Sequence, residues 1–137
     1  MATQSNTYRK LMLLMMRSKQ HMAVIMEQHQ MTPIQGILLV LFEPAEGRTM
    51  QELSSMMACD ASNTTGLIDR LDTHGLIERT VDPNDRRVKV ISLSDKGFAL
   101  RAKVLEAISK NEAADMQRLT NIEQEQLAKL LSKLLKD

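Results

Sequence analysis

The stretch Asp82-Pro83-Asn84-Asp85-Arg86-Arg87 constrains the fold more than any other part of this chain, because it sets turn residues between two apolar runs. Pro83 and Asn84 favour the tight backbone angles of a turn. The runs 77–81 and 88–93 are rich in the β-branched residues that favour strands. The stretch therefore predicts a β-hairpin whose tip carries two adjacent arginines.

Two arginines at a hairpin tip have little to pack against, but they can reach a phosphate backbone or a narrow minor groove. The other interpretation is a pair of solvated turn charges, or an ion pair with Asp82 or Asp85. A DNA contact is the better prediction when such a hairpin follows a helix-turn-helix. We expect Arg87 to be the residue that reads the groove.

Two short helices joined by a tight turn are predicted just before the hairpin. A capping box at Thr49 and Glu52 opens the first, whose apolar residues Leu53, Met56 and Met57 are expected to face inward. Ala58 and Cys59 form the turn. Cys59 is either a small buried residue or a thiol whose pKa the following helix lowers for redox sensing, and burial is the commoner case.

The second helix begins at its cap Asp60 and runs to about Thr73, with Gly75 in a left-handed position after it. Its apolar stripe faces the core, so a polar face is left outside. Ser62 points away from the apolar stripe and Asn63, Thr65 and Arg70 lie on its flanks, and we expect DNA contacts from these four residues. The alternative is an ordinary helix surface, on which Asp69 and Arg70 pair with each other.

Long helices flank this lobe. Residues 6–28 read as one helix with Leu11, Met15, Met22, Ile25 and Met26 near helical spacing. Thr32 caps a central buried helix, 34–42, which Pro44 and Gly47 end. Ser94 caps a helix from Asp95 to about Met116, and Phe98, Ala102, Leu105 and Ile108 give that helix an apolar side. A capping box at Thr120 opens the leucine-rich last helix.

These outer helices carry more apolar surface than a small lobe can cover, which favours a two-fold dimer.

Composition bounds the function. The 137 residues suit one domain, and no apolar run approaches a membrane span or a signal peptide, so a cytoplasmic protein without a membrane partner is expected. One cysteine excludes an internal disulfide, and the net charge of +1 requires any DNA-binding charge to be local. His21, Glu27 and His29 lack metal-ligand spacing. No nucleophile–base pair or phosphate loop is evident, so neither an enzyme, a metal site nor a cofactor is expected.

Four segments together resemble the MarR family of winged-helix transcription regulators. They are Leu53, residues 71–79 (Leu-Asp-Thr-His-Gly-Leu-Ile-Glu-Arg), residues 82–87, and residues 93–97 (Leu-Ser-Asp-Lys-Gly). The resemblance extends over essentially the whole chain. It implies a mainly α winged helix-turn-helix fold with a β-hairpin wing, in which about 30–93 form the DNA-binding lobe and about 6–28 and 95–137 form dimerisation helices.

The resemblance also implies a function. It implies a homodimeric repressor of a pseudo-palindromic operator in double-stranded DNA, released by a small apolar or phenolic effector or by cysteine oxidation. Recognition-helix contacts are implied at Ser62, Asn63, Thr65 and Gly66, and wing contacts at Asp85 and Arg87 with Arg86 beside them. In the family this arginine enters the minor groove, and this aspartate helps to shape the wing.

Gly66 departs from the family, which often has a long basic or polar residue there. A glycine makes no side-chain contact with a base and lowers helix stability by ~1 kcal/mol relative to alanine. It either permits close approach of the DNA or weakens direct readout. With the near-neutral charge, it keeps open a second hypothesis, a winged-helix module that binds protein and not DNA.

Overall fold

The computed structural model describes residues 2–43 and 46–136, which form six helices and three strands. In chain order these are α1 Ala2–Glu27, α2 Pro33–Leu41, β1 Arg48–Thr49, α3 Met50–Met57, α4 Ala61–Thr73, β2 Ile77–Val81, β3 Lys89–Leu93, α5 Asp95–Met116 and α6 Asn121–Leu135. The predicted fold class, mainly α with a small β-hairpin wing, is confirmed.

The sheet is antiparallel, with strand order β1-β3-β2. The predicted hairpin is confirmed: β2 pairs with β3 from Ile77 opposite Leu93 to Val81 opposite Lys89. Strand β1 was not predicted. It has only two residues, Arg48 and Thr49, which lie opposite Ile91 and Val90, and two residues are too few to show the period-two pattern of a strand.

Side-chain caps fix where the helices begin. The Thr49 hydroxyl accepts from the Glu52 amide at 3.2 Å, and the Asp60 carboxylate accepts from the Asn63 amide at 2.7 Å. The Ser94 and Thr120 hydroxyls accept from the Gly97 and Glu123 amides in the same way. Each cap satisfies an amide that lacks a partner within its helix. These four predicted starts are confirmed, as is the fifth, at Thr32, whose backbone amide donates to the Gln35 side chain at 2.8 Å.

Helix α2 lies at the centre of the core, with Leu38 and Leu39 fully buried. It ends at Leu41 because Phe42 is extended, and the predicted stop at Pro44 lies outside the described residues. The other fully buried side chains come from α1, α3, α4, β3, α5 and the segments between elements: Met26, Phe42, Leu53, Thr64, Ile68, Leu71, Leu76, Ile91 and Val104.

Three side chains from the predicted apolar faces of helices are exposed. Met15 of α1 and Met56 of α3 are 57% and 40% exposed, and the buried positions of α1 begin at Met22. In α5, Ala102 is exposed and Val104 takes the buried position. Helical spacing gives the direction of a side chain but does not say how far the packed partner extends.

A dense joint connects the end of α4 to the start of α5. Ser94 donates from its hydroxyl to the Gly75 carbonyl at 2.6 Å and from its amide to the Leu76 carbonyl at 3.0 Å. The Lys96 ammonium donates to the His74 carbonyl at 2.8 Å. Gly75 has the expected left-handed backbone, with φ of +68°. A Cβ placed on Gly97 would overlap the Leu76 carbonyl oxygen, so only glycine lets α5 approach so closely.

Replacing Gly97 by alanine is expected to lower the free energy of unfolding by about 2 kcal/mol, because the new methyl group meets rigid backbone. Chemical denaturation followed by circular dichroism measures the change. The matched control is Ser109→Ala, an exposed site on the same helix, which should stay within about 0.5 kcal/mol of the wild type. Equal stability of Gly97→Ala and the control would contradict the close approach.

Candidate nucleic-acid interface

One face of α4 is turned to solvent and carries all five helix residues predicted to contact DNA. Ser62, Asn63, Thr65, Gly66 and Arg70 are exposed, whereas the opposite face buries Thr64, Leu67, Ile68 and Leu71. The Thr64 hydroxyl is anchored inside by donating to the Asp60 carbonyl at 2.9 Å. The expected division of this helix into a core face and an outer face is therefore confirmed.

The hydrogen bonds of the outer polar side chains determine what they can still offer a ligand. The Asn63 side-chain amide donates to the Asp60 carboxylate at 3.3 Å, so its oxygen remains an acceptor. The Thr65 hydroxyl donates to the Ala61 carbonyl at 2.8 Å and can still accept. Among the described residues the Ser62 hydroxyl has no hydrogen-bond partner, so it is available as donor and acceptor.

Asp69 pairs with Arg79 of β2. The alternative of an ordinary helix surface, in which Asp69 pairs with Arg70, is therefore wrong on this point. Arg79 reaches Asp69 at 2.6 Å and Asp72 at 3.3 Å, so one guanidinium holds two carboxylates of α4. This pair was not predicted, because an ion pair between two elements does not affect the spacing of residues along either one. Within residues 2–43 and 46–136, Arg70 makes no ion pair.

The wing is a tight loop closed by its own side chains. The Asp82 carboxylate accepts from the Asn84 amide at 2.7 Å, and the Asp85 carboxylate accepts from the Arg87 amide at 3.0 Å. Arg87 also donates to Asp85 through Nε at 3.1 Å and Nη2 at 3.3 Å, a two-point pairing. The Arg87 side chain is nevertheless 91% exposed. Asp85 therefore orients this arginine without burying it.

The Arg87 guanidinium and then its backbone amide hold the pKa of the Asp85 carboxyl below its ordinary value. Because the folded-state pKa is the lower one, this pairing is fully present above the ordinary carboxyl pKa and is lost as the pH falls through the lowered value. The pairing of Asp85 with Arg87 is therefore independent of pH near neutrality.

Three concavities lie on or near these elements. A cleft of about 310 Å³ on the outer side of α4 is lined by Ile34, Cys59, Ser62, Asn63, Gly66, Leu67 and Arg70. A pocket of about 250 Å³ beside the α4–α5 joint is lined by His29, Met31, His74, Leu76, Lys96, Ala99, Leu100 and Lys103. A groove of about 410 Å³ runs among α1, α5 and α6.

Cys59 is half-buried, and its thiol donates to the Met57 carbonyl at 3.3 Å. Among the described residues no group of three or more His, Cys, Asp and Glu side chains could hold a metal ion. No helix in that same part of the chain is both long enough and apolar enough to cross a membrane.

Comparison with known proteins identifies the family that the chain resembles. The sequence model of the MarR family matches residues 31–89. The chain is 33% identical over 118 residues to YsmB of Bacillus subtilis (strain 168), an uncharacterised HTH-type transcriptional regulator, covering 86% of this chain and 79% of YsmB.

Two solved structures share the fold. The MepR–DNA complex of S. aureus superposes with a TM-score of 0.76 at 25% identity, covering 96% of each chain. CouR from Rhodococcus jostii RHA1, solved with p-coumaroyl-CoA bound, superposes with a TM-score of 0.80 at 25% identity, covering 90% of this chain and 87% of CouR.

The relationship to YsmB extends over most of both proteins, and the matched segment holds α2, α3, α4 and the wing. Proteins of this family regulate transcription and are not enzymes. The chain belongs to the MarR family of winged helix-turn-helix transcriptional regulators.

Proposed function

We propose that this regulator is a homodimeric repressor of a pseudo-palindromic operator, with α4 in the major groove and the wing in the adjacent minor groove. The observation that carries the proposal is the exposed polar face of α4, with Ser62, Asn63, Thr65, Gly66 and Arg70, accompanied by the solvent-facing Arg86 and Arg87 of the wing. MepR, which shares the fold, was solved in complex with DNA.

The distribution of ion pairs leaves some cations of the lobe without an acidic partner, despite the small net charge. Arg79 pairs with both Asp69 and Asp72, which leaves one negative charge in that group, and Arg87 offsets Asp85. In the part of the chain that the structure describes, Arg70, Arg86 and Lys89 make no ion pair, so they remain available for phosphates. In this proposal Asp85 acts through Arg87 by shaping the wing.

Dimerisation is supported by α6. None of its residues, all of which the structure describes, is buried within one chain. Leu130, Leu134 and Leu135 are 58%, 69% and 70% exposed, and the first half of α1 exposes a further apolar set: Tyr8, Met12, Leu13, Leu14, Met15 and Met16. A helix without buried residues gains little from tertiary packing, so a second copy is the partner that would stabilise it.

A dimer would place its two recognition helices on half-sites about one helical turn apart, ~34 Å. A protein spanning that length of promoter DNA would block access by polymerase, which favours repression.

Titration of the purified protein against the DNA upstream of its own coding region, at several salt concentrations, tests the function. Binding that weakens steeply with salt is expected, and absence of binding at low salt by a folded dimer would favour the protein-interaction module.

The pocket beside the α4–α5 joint is our candidate for the effector site. Its apolar walls include Met31, Leu76 and Leu100, and its rim carries His29, His74, Lys96 and Lys103, which suits an apolar molecule with an acidic group such as a phenolic acid. The pocket touches the turn after α1, the end of α4 and the start of α5. A ligand here would change the angle between the DNA-binding lobe and the outer helices.

Replacing Arg87 by alanine is expected to weaken binding to specific and non-specific DNA by similar factors and to reduce the salt slope by about 1, because one phosphate or groove contact is lost. Fluorescence anisotropy over a salt series measures both. Lys110→Ala, which removes an exposed cation from the middle of α5, is the control and should leave both values unchanged. An unchanged slope in Arg87→Ala would disprove the role of the wing.

Light scattering at micromolar concentration is expected to give a mass of about twice 15.5 kDa. Leu134→Glu should shift the mass toward the monomer, because it places a charge in the apolar stripe of α6. Ser132→Glu adds the same charge on the other side of the helix and should remain dimeric. A wild-type monomer, or identical masses for both variants, would refute this interface.

A thermal-shift screen of phenolic acids, starting with p-coumarate, is expected to give compounds that raise Tm and release the operator. Lys103→Met should abolish that stabilisation while leaving DNA affinity within about twofold, because it removes a charge from the pocket rim but none from the wing or the outer face of α4. Compounds that act equally on Lys103→Met would place the effector site elsewhere.

A further inference from the structure

Gly66 has no structural reason to be glycine. It lies exposed in the middle of α4, and a Cβ placed on it would meet no atom within 4 Å. Glycine inside a helix is less stable than alanine, because it loses more backbone freedom on folding. Gly97, by contrast, is required by the Leu76 carbonyl. The requirement at Gly66 therefore lies outside the folded chain, in what docks on this face.

Gly66 lines an open cleft of about 310 Å³, which we call the notch. Its apolar lining comes from Ile34, Cys59 and the almost buried Leu67, and its polar lining from Ser62, Asn63 and Arg70. An apolar recess between hydrogen-bonding groups suits a small apolar projection on a polar surface. It does not suit a flat run of phosphates, which would need only the rim.

We propose that Gly66 makes the notch a site for the C5-methyl group of a thymine, so that an operator thymine is selected by a missing side chain. The inference rests on the proposed entry of α4 into the major groove. There the thymine methyl is the one apolar projection among the base edges, and it is read by apolar contact. The rim residues Ser62, Asn63 and Arg70 are left to bond neighbouring base edges or phosphates.

Gly66→Ala should therefore change stability and DNA binding in opposite directions. The alanine methyl fits without a clash and favours the helix, so Tm should rise by roughly 2–5 °C. The same methyl group occupies the notch, so affinity for the operator should fall. A glycine needed for packing would give a lower Tm, and a glycine without function would give a higher Tm with unchanged affinity.

The decisive experiment replaces each operator thymine in turn by uracil, symmetrically in both half-sites, which removes only the methyl group. For the wild-type protein one position should lose about fourfold in affinity per methyl group removed. For Gly66→Ala that position should no longer distinguish thymine from uracil. Thr73→Ala, an exposed substitution about two turns further along α4, is the control and should keep the discrimination.

The outcomes separate this inference from the proposed function. Failure of the wild-type protein to bind any DNA would overturn the function itself. Wild-type binding with no uracil-sensitive position would overturn only the notch. Equal discrimination by Gly66→Ala and the wild type, or a lower Tm for Gly66→Ala, would also overturn it.

Discussion

The joint between the end of α4 and the start of α5 is the contact on which the arrangement of this molecule depends. Three donors from Ser94 and Lys96 satisfy the carbonyls of His74, Gly75 and Leu76, at the point where α4 ends and β2 is about to begin. The amides of the same three residues satisfy carbonyls in the last turn of α4, those of Arg70, Asp72 and Leu71. One short segment therefore bonds both to the recognition helix and to the start of the long outer helix.

Ion pairs within the lobe determine which of its arginines and lysines remain without an acidic partner. Asp69 and Asp72 share Arg79, and Asp85 is held by Arg87, so each of these acids is paired by an arginine of its own lobe. The same pairs have a structural consequence, because Arg79 ties β2 to α4 and Asp85 fixes the turn of the wing. These exposed pairs contribute little stability individually. Their effect is on the distribution of charge, because among the described residues they leave Arg70, Arg86 and Lys89 without an acidic partner.

The sequence predicted what local chemistry determines and missed what depends on distant packing. The caps at Thr49, Asp60 and Ser94 and the turn before the second wing strand need only neighbouring residues, and all are in place. The exposure of Met15 and Met56, the pairing of β1 with β3, and the choice of Arg79 by Asp69 depend on how elements meet. The periodicity of apolar residues within one helix or strand does not predict which other element that helix or strand contacts. Likewise, the sequence shows that Gly66 is unusual, but only the structure shows that the space beside it is empty.

Helix α5 provides a physical route from the outer helices to the DNA-binding lobe. Its 22 residues span about 33 Å as one continuous helix. At its start lies the joint with its adjoining pocket, and near its end Asp115 faces Arg17 of α1 at 3.6 Å and lines the groove shared with α6. In the proposed dimer the far end would be fixed by the partner, so the joint is a place where the lobe could change its angle. A ligand in the proposed effector pocket beside the joint would then change the half-site spacing. By reciprocity, bound DNA would favour or disfavour the ligand by the same factor.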